Sequence, residues 1–140
     1  MNGTVRVWRG SSEWHDLVPR LLAEHGSKRV VEIGVWRGEL SERILKECQK
    51  VRSLMLVDPW HPSMLLADGR WYYCGPGVTQ EQMDAALAET WRVTRPYARK
   101  ISIVRLPSVE AAAQVPDHWF DAVIIDALHF KNTVMEDIAA

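Results

Sequence analysis

The sequence has 140 residues, a formal net charge of −1 and 47% hydrophobic residues. These values are typical of one globular domain with a substantial core, and we expect residues 1–140 to form it. The balanced charge argues against a nucleic acid or a membrane surface as a partner. No apolar run approaches the ~18 residues of a membrane span, and the N-terminus lacks the apolar segment of a signal peptide. Cys48 and Cys74 lack metal-ligand spacing, so we expect thiols in a reducing compartment and a cytoplasmic protein.

Helix and strand patterns alternate in the first half of the chain. Apolar residues recur at helical spacing over residues 11–26, where Pro19 predicts either a kink or the start of a second segment. Residues 29–34 are predicted to form a buried strand, and one helical face follows within residues 40–48. Residues 53–58, SLMLVD, are predicted to form a second interior strand, because this apolar run is too short for a helix.

The second half of the chain begins with residues 59–76, which are rich in Pro, Gly and aromatic residues and show no period. We expect a long loop there, and loops of this length are usually functional or mobile. The elements predicted after it are a helix that opens at Thr79, a strand over residues 101–106, a short helix over residues 110–114, a strand over residues 120–126 and a helical stretch around Val134 and Ile138. Four strands thus alternate with helices, which predicts an α/β, doubly wound parallel sheet with ligands beyond the carboxyl ends of its strands.

The turn after the first strand has an unusual combination of residues, VVEIGVWRGEL over residues 30–40. A dinucleotide-binding turn reads G-x-G-x-x-G, because a pyrophosphate must approach bare backbone N–H groups. Here Trp36 replaces the second glycine, and the Glu32 carboxylate would lie close to that anion. The acid therefore favours a cationic ligand, with Gly34 allowing a sharp turn and Gly38 letting the ligand lie against the helix start. A tight turn with an incidental acid is the alternative.

Three further polar residues follow predicted strands and would share the same rim. Asp58 ends the second strand, where an acid can reach ribose hydroxyls; alternatively, it makes the turn before the following proline. Ser108 follows the third strand, where it would either meet an adenine or cap a helix. Asp126 ends the fourth strand beside the expected ligand crevice. Coincidence explains one such residue more easily than all of them, so we predict a ligand site at this rim.

The ordered segments VVEIGVWRGELSERIL, LMLVDPW, IVRLPSVEAA and FDAVIIDALHFKNTVMEDI resemble the successive motifs of class I S-adenosylmethionine-dependent methyltransferases. The resemblance covers nearly all of residues 11–140. It is greatest to the branch with Ile-Asp-x-x-His after the fourth strand, which includes small-molecule and sugar O-methyltransferases. It implies a Rossmann-like fold, S-adenosyl-L-methionine as cofactor with S-adenosyl-L-homocysteine as product, and a small hydroxylated acceptor.

The resemblance also implies a set of site residues. Those implied to bind the cofactor are Glu32, Gly34 and Gly38 at its methionine end, Asp58 at the ribose, Ser108 and Val109 at the adenine, and Val35, Trp36, Pro59, Trp60 and Asp126 around it. Asp126 and His129 are implied as catalytic residues, with His129 taking the acceptor's proton because its ordinary pKa lies near neutrality. A histidine that bonds the backbone at a helix start is the alternative. Trp60, Tyr72 and Tyr73 either cover the ligand or pack the long loop.

The sequence departs from this family's pattern at two places. Much of the branch reads Asp-Gly-Asp-His, but Ala127 and Leu128 occupy the middle positions here, so we expect no metal. The complete fold has seven strands and four are predicted here, so we expect the C-terminal strands to be missing. Residues 123–125 would then form an exposed edge, which predicts a homo-oligomer or a complementing chain. Two other functions stay open: a module that binds the cofactor without methyl transfer, and an enzyme that uses another nucleotide cofactor.

Overall fold

The computed structural model describes residues 11–66, 69 and 71–127. The helices and strands, in chain order, are α1 Ser11–His25, β1 Arg29–Ile33, α2 Glu39–Glu47, β2 Ser53–Val57, β3 Ser63–Leu65, β4 Trp71–Tyr73, α3 Gln80–Thr94, β5 Ile101–Val104, α4 Ser108–Ala112 and β6 Ala122–Ile125. A 3-10 turn at Arg95–Tyr97 links α3 to β5. Within these residues, no helix is long and apolar enough to cross a membrane. The predicted helical stretch around Val134 and Ile138 lies outside the described residues.

Four strands form a parallel sheet in the order β5-β2-β1-β6. The register pairs Ile33 of β1 with Val57 of β2 on one side and with Ile125 of β6 on the other. Val57 in turn pairs with Val104, the last residue of β5. The α/β class and the parallel sheet predicted from the sequence are therefore confirmed, and the four strands end at one common rim.

Side chains of the two central strands pack on both faces of the sheet, as expected of interior parallel strands. Alternate residues of β1 point to opposite faces, so Val30 joins the larger core while Val31 joins the smaller one. The larger core also contains buried residues of three helices and of β2: Val18, Leu22, Leu40, Ile44, Leu45, Leu54, Leu56, Met83 and Ala86. The smaller core lies under Ala111 of α4. Glu32 shares the face of Val30, which places a carboxyl group on the side that α2 covers.

Pro19 lies within a single helix, so the predicted second segment is wrong. Proline has no N–H to donate within the helix, but two side chains beside it, Leu17 and Val18, are buried and hold α1 to the domain. The Pro19 carbonyl also accepts a hydrogen bond from the Cys48 thiol at 3.2 Å. Tertiary packing therefore outweighs the local cost of the proline.

The predicted loop over residues 59–76 contains a short antiparallel hairpin of β3 and β4. The prediction that this segment has no regular structure was therefore wrong. The hairpin pairs Leu65 with Trp71, and its three-residue strands are too short for a periodicity to show in the sequence. The helix predicted from Thr79 is confirmed. Thr79 and Gln82 form a capping box at its start, which satisfies two backbone N–H groups.

Candidate functional site

The rim at the carboxyl ends of the strands brings Asp58 and Asp126 to either side of the turn that begins at Gly34. The Gly34 N–H donates to the Val57 carbonyl at 2.9 Å, and the Asp126 N–H donates to the Ile33 carbonyl at 2.8 Å. These bonds continue the parallel pairing one residue beyond the strands. The acids predicted from three separate strand ends, with Glu32 one residue before the end of β1, therefore meet in one place.

Glycine is needed at position 34 because the backbone that follows β6, a neighbour of β1 in the sheet, passes close to it. Its φ is +84°, and a Cβ at this position would lie 2.5 Å from the Asp126 carbonyl oxygen and 2.6 Å from the Ala127 Cα. No real Cβ tolerates such a distance to backbone. Glycine here lets the turn after β1 lie directly against the end of β6.

Gly38 lies close to helix α3. Its φ is +76°, and a Cβ would lie 3.2 Å from atoms of both Thr90 and Val93 in α3. The sequence suggested that Gly38 lets a ligand lie against the helix start, and this contact stays a prediction. The structure adds a second reason for glycine here, the close approach of helix α3, which cannot be read from the turn itself.

Glu32 is the most deeply buried acid of this rim, with 1% of its surface exposed. Its Oε2 accepts a hydrogen bond from the Ser41 hydroxyl at 2.6 Å. The pKa of Glu32 is raised to about 8: desolvation by burial is the largest cause, the Ser41 hydrogen bond opposes it, and the nearby Asp126 and Asp58 carboxylates add to it. A cation bound beside Glu32 would favour its ionised form. Ser41 was missed by the sequence analysis.

The Asp58 carboxylate accepts three backbone hydrogen bonds. Its Oδ2 accepts from the N–H groups of Val35 and Trp36, both at 3.0 Å, and its Oδ1 accepts from the Trp60 N–H at 2.8 Å. The alternative role suggested from sequence, a turn residue before Pro59, is therefore present in the structure. The contact with a ribose stays a prediction.

Trp36 and Trp60 are joined through the same network. The Trp60 indole N–H donates to the Trp36 carbonyl at 2.8 Å, and the Thr90 hydroxyl donates to the same carbonyl at 3.0 Å. Trp60 is fully buried, so its suggested role as a cover over the ligand is wrong and its packing role is confirmed. The Trp36 side chain is 42% exposed. The side chains of Tyr72 and Tyr73 lie outside what the structure describes.

Arg105 fixes the start of the long loop and was also missed by the sequence analysis. Its guanidinium donates to the carbonyl oxygens of Pro59 at 3.3 Å and Trp60 at 3.0 Å, and it pairs with Asp84 of α3 at 3.0 Å. Gln80 also donates to the Trp60 carbonyl, at 3.1 Å. The end of β5 and the start of α3 thus hold the segment that carries Trp60 in place.

Ser108 and Val109 lie at the start of α4, the helix that follows β5. The N-cap position of α4 belongs to Pro107, so Ser108 is the first helical residue and the suggested cap at Ser108 is wrong. Val109 beside it is 49% exposed. His129 lies outside the described residues, so its pairing with Asp126 stays a prediction. Within the described residues, no three His, Cys, Asp or Glu side chains are grouped as metal ligands.

Comparison with protein families places this geometry in context. A family model described as a methyltransferase domain matches residues 31–140, which includes the turn after β1 and every strand end of the rim. The chain belongs to this methyltransferase-domain family. No curated protein matches the sequence.

Solved structures show the same methyltransferase fold. An S-adenosylhomocysteine-bound methyltransferase from Podospora anserina is 12% identical with a TM-score of 0.60, over 94% of this chain and 48% of that one. An O-methyltransferase from Bacillus cereus in complex with S-adenosylhomocysteine is 11% identical with a TM-score of 0.52, over 87% and 47%. The O-methyltransferase TomG from Streptomyces achromogenes, in complex with S-adenosylmethionine, is 16% identical with a TM-score of 0.52, over 94% and 52%. This methyltransferase domain thus spans about half the length of these similar chains.

Proposed function

We propose that this methyltransferase domain binds S-adenosylmethionine at the rim of the sheet and transfers its methyl group to a small hydroxylated acceptor. The observation that carries the proposal is the buried Glu32 carboxyl group, which has the Asp58 and Asp126 carboxylates as electrostatic neighbours. Such a site repels a pyrophosphate and attracts a cation. S-adenosylmethionine carries an ammonium and a sulfonium, so the charges of the site fit this cofactor.

The resemblance to the family suggests which residues would hold each part of the cofactor. Glu32 and the Gly34 turn would face its methionine end, Asp58 its ribose, and Ser108 with Val109 its adenine. The bound cofactor would supply a methyl group on a positively charged sulfur. Catalysis of such a displacement can come largely from holding the acceptor in line with the methyl group.

In the proposed reaction, Asp126 orients the acceptor at the end of β6 and His129 accepts the proton of its hydroxyl group. Removing this proton makes the oxygen a better nucleophile as it attacks the methyl carbon. The sulfur of the bound cofactor would leave with the electron pair of the broken carbon–sulfur bond. The identity of the acceptor follows from residues around the rim rather than from the fold.

Isothermal titration calorimetry tests the binding part of the proposal. The purified protein should bind S-adenosylmethionine or S-adenosylhomocysteine and give no heat with NAD. Asp58→Ala should weaken binding by ~1.5 to 3 kcal/mol, the worth of a hydrogen bond to a charged group. The exposed acid Glu24 offers a matched control, since Glu24→Gln should leave binding unchanged. Tight NAD binding without a response to either adenosyl compound would overturn the proposal.

Methyl transfer requires a separate experiment, because a domain that binds the cofactor without transferring its methyl group is the second candidate. Both candidates use Glu32 and the turn after β1. The protein would be incubated with methyl-labelled S-adenosylmethionine and a panel of hydroxylated acceptors, and both the labelled product and S-adenosylhomocysteine would be measured. Production of both in equal amounts supports the enzyme, whereas binding without either product supports the second candidate.

We also propose that β6 pairs with a further chain segment, either in a second copy or in a complementing chain. Among the described strands, β6 pairs only with β1, and Val123 is 54% exposed. An apolar edge of this kind favours pairing with another strand. Light scattering at micromolar concentration should therefore show a mass above that of one chain, and a folded monomer would contradict the proposal. We further propose a cytoplasmic location, which the cysteine spacing in the sequence led us to expect.

A further inference from the structure

Asp58 joins two chain segments that are distant in sequence. Its Oδ2 accepts from two consecutive N–H groups of the turn after β1, those of Val35 and Trp36, at 3.0 Å each. Its Oδ1 accepts from the Trp60 N–H, in the segment after β2, at 2.8 Å. One carboxylate thus holds the turn of one strand against the end of its neighbour.

The two tryptophans that Asp58 contacts have backbone conformations that L-residues rarely adopt. The φ angle is 55° at Trp36 and 42° at Trp60. Such conformations persist only where the surrounding structure fixes them, and they often occur at functional sites. The Trp36 peptide groups are fixed on both sides, because the N–H donates to Asp58 while the carbonyl accepts from Trp60 Nε1 and Thr90 Oγ1. Asp58 is the one side chain that contacts both strained residues through their N–H groups within the described part of the chain.

The number of hydrogen bonds limits what else Asp58 can do. An ionised carboxylate has roughly four acceptor positions, and three of them are used by backbone N–H groups. One position is left, so a ribose could donate one hydroxyl to Asp58 without displacing a backbone bond. A second hydroxyl would require the turn to give up one of its own hydrogen bonds.

We infer that Asp58 is a positioning residue, whose carboxylate holds the turn of residues 34–38 in its ligand-binding shape and contacts at most one ribose hydroxyl. The part that concerns the ligand rests on the proposed cofactor, whereas the hold on the turn does not. Loss of Asp58 therefore weakens every ligand contact made by the turn. A residue that served only the ribose would weaken the ribose contacts alone.

Amide hydrogen exchange without ligand tests the hold on the turn. In Asp58→Ala, the N–H groups of Val35, Trp36 and Trp60 should exchange about 10-fold faster or more, since each loses its acceptor. Asp58→Asn keeps one acceptor oxygen and should give an intermediate increase, and it serves where the alanine variant fails to fold. The exposed acid Asp117 provides the control, with unchanged exchange in Asp117→Asn. Equal exchange in the wild type and both Asp58 variants would overturn the inference.

Ligand analogues test how Asp58 acts on binding. Affinities of the wild type and the Asp58 variants would be measured for S-adenosylhomocysteine and for its 2′,3′-dideoxy analogue, which lacks both ribose hydroxyls. A positioning residue predicts that the variant loses about 10-fold or more in affinity for the dideoxy analogue as well. If the variant binds this analogue as tightly as the wild type does, Asp58 serves the ribose only and the inference is wrong. Should the wild type bind neither compound, the proposed cofactor fails, while the exchange result still decides the hold on the turn.

Discussion

Replacing Glu32 by glutamine should change how the stability of the protein depends on pH. Burial raises the pKa of Glu32 from 4.5 to about 8 in the folded protein. The folded state therefore binds this proton more tightly than the unfolded state does. Its contribution to stability is fully present below about pH 4.5, falls as the pH rises, and is lost above about pH 8. Since one pKa unit corresponds to about 1.4 kcal/mol, the free energy of unfolding should fall by roughly 4 to 5 kcal/mol across this range.

Chemical denaturation of the wild type and Glu32→Gln at several pH values measures this contribution. Glutamine has nearly the same shape as a protonated glutamic acid, so the two proteins should have similar stability near pH 5. Near pH 8.5 the variant should be the more stable by several kcal/mol, because it avoids a buried charge. Glu24→Gln is the control, since this exposed acid should leave the pH dependence unchanged. The same pH dependence in the wild type and in Glu32→Gln would refute the reasoning.

The same proton should affect the affinity for the proposed cofactor. A cationic ligand favours ionised Glu32, so binding below about pH 8 requires the loss of a proton. Affinity should therefore fall as the pH is lowered, by up to about tenfold per pH unit while protonated Glu32 predominates. Calorimetry in buffers of different ionisation enthalpy would detect the released proton. If no proton is released on binding, the cationic group of the ligand does not lie next to Glu32.

Other predictions follow from the same rim. Gly34→Ala should lower the free energy of unfolding by roughly 3 kcal/mol or more, because its Cβ would meet the Asp126 carbonyl at 2.5 Å; a change below 1 kcal/mol in urea denaturation would mean that the turn relaxes. Ser41→Ala should raise the pKa of Glu32 further, since this hydrogen bond lowers it; an unchanged carboxyl titration by NMR would contradict this. His129→Ala should slow methyl transfer by roughly 10²-fold or more while S-adenosylhomocysteine affinity stays nearly unchanged; full turnover would exclude His129 as the base.

The positions of the acids at the rim could be predicted because they depend on simple geometry. Parallel strands with crossover helices end at the same edge of a sheet, so an acid after each apolar run must lie at that edge. Glu32, Asp58 and Asp126 do lie at the carboxyl ends of β1, β2 and β6, as predicted. The lengths and the order of the apolar runs are enough to predict these positions.

The partners of these acids could not be predicted in the same way. Two of the three N–H groups that donate to Asp58 belong to residues 22 and 23 positions earlier, and the choice among rim donors depends on side-chain rotamers. Burial of Trp60 likewise depends on Arg105 and α3, which lie far along the chain. Ser41 did leave a signal in the sequence. It lies at helical spacing with Ile44 and Leu45 on the buried face of α2, and a polar residue in such a stripe needs a partner.

Glu32 and Asp58, the acids at the ends of the two central strands, have different hydrogen-bonding environments. This difference affects which ligand the rim can bind. Asp58 accepts hydrogen bonds from three backbone N–H groups, so much of its hydrogen-bonding capacity serves the protein itself. Glu32 has the neutral Ser41 hydroxyl and two acids as the neighbours that shift its pKa. A positive charge near the end of β1 is therefore most strongly favoured at Glu32, because a cation there offsets both its burial and the repulsion from the other acids. A ligand with cationic groups on one side and a neutral nucleoside on the other satisfies this arrangement, whereas a dinucleotide would bring its pyrophosphate against the same carboxyl group.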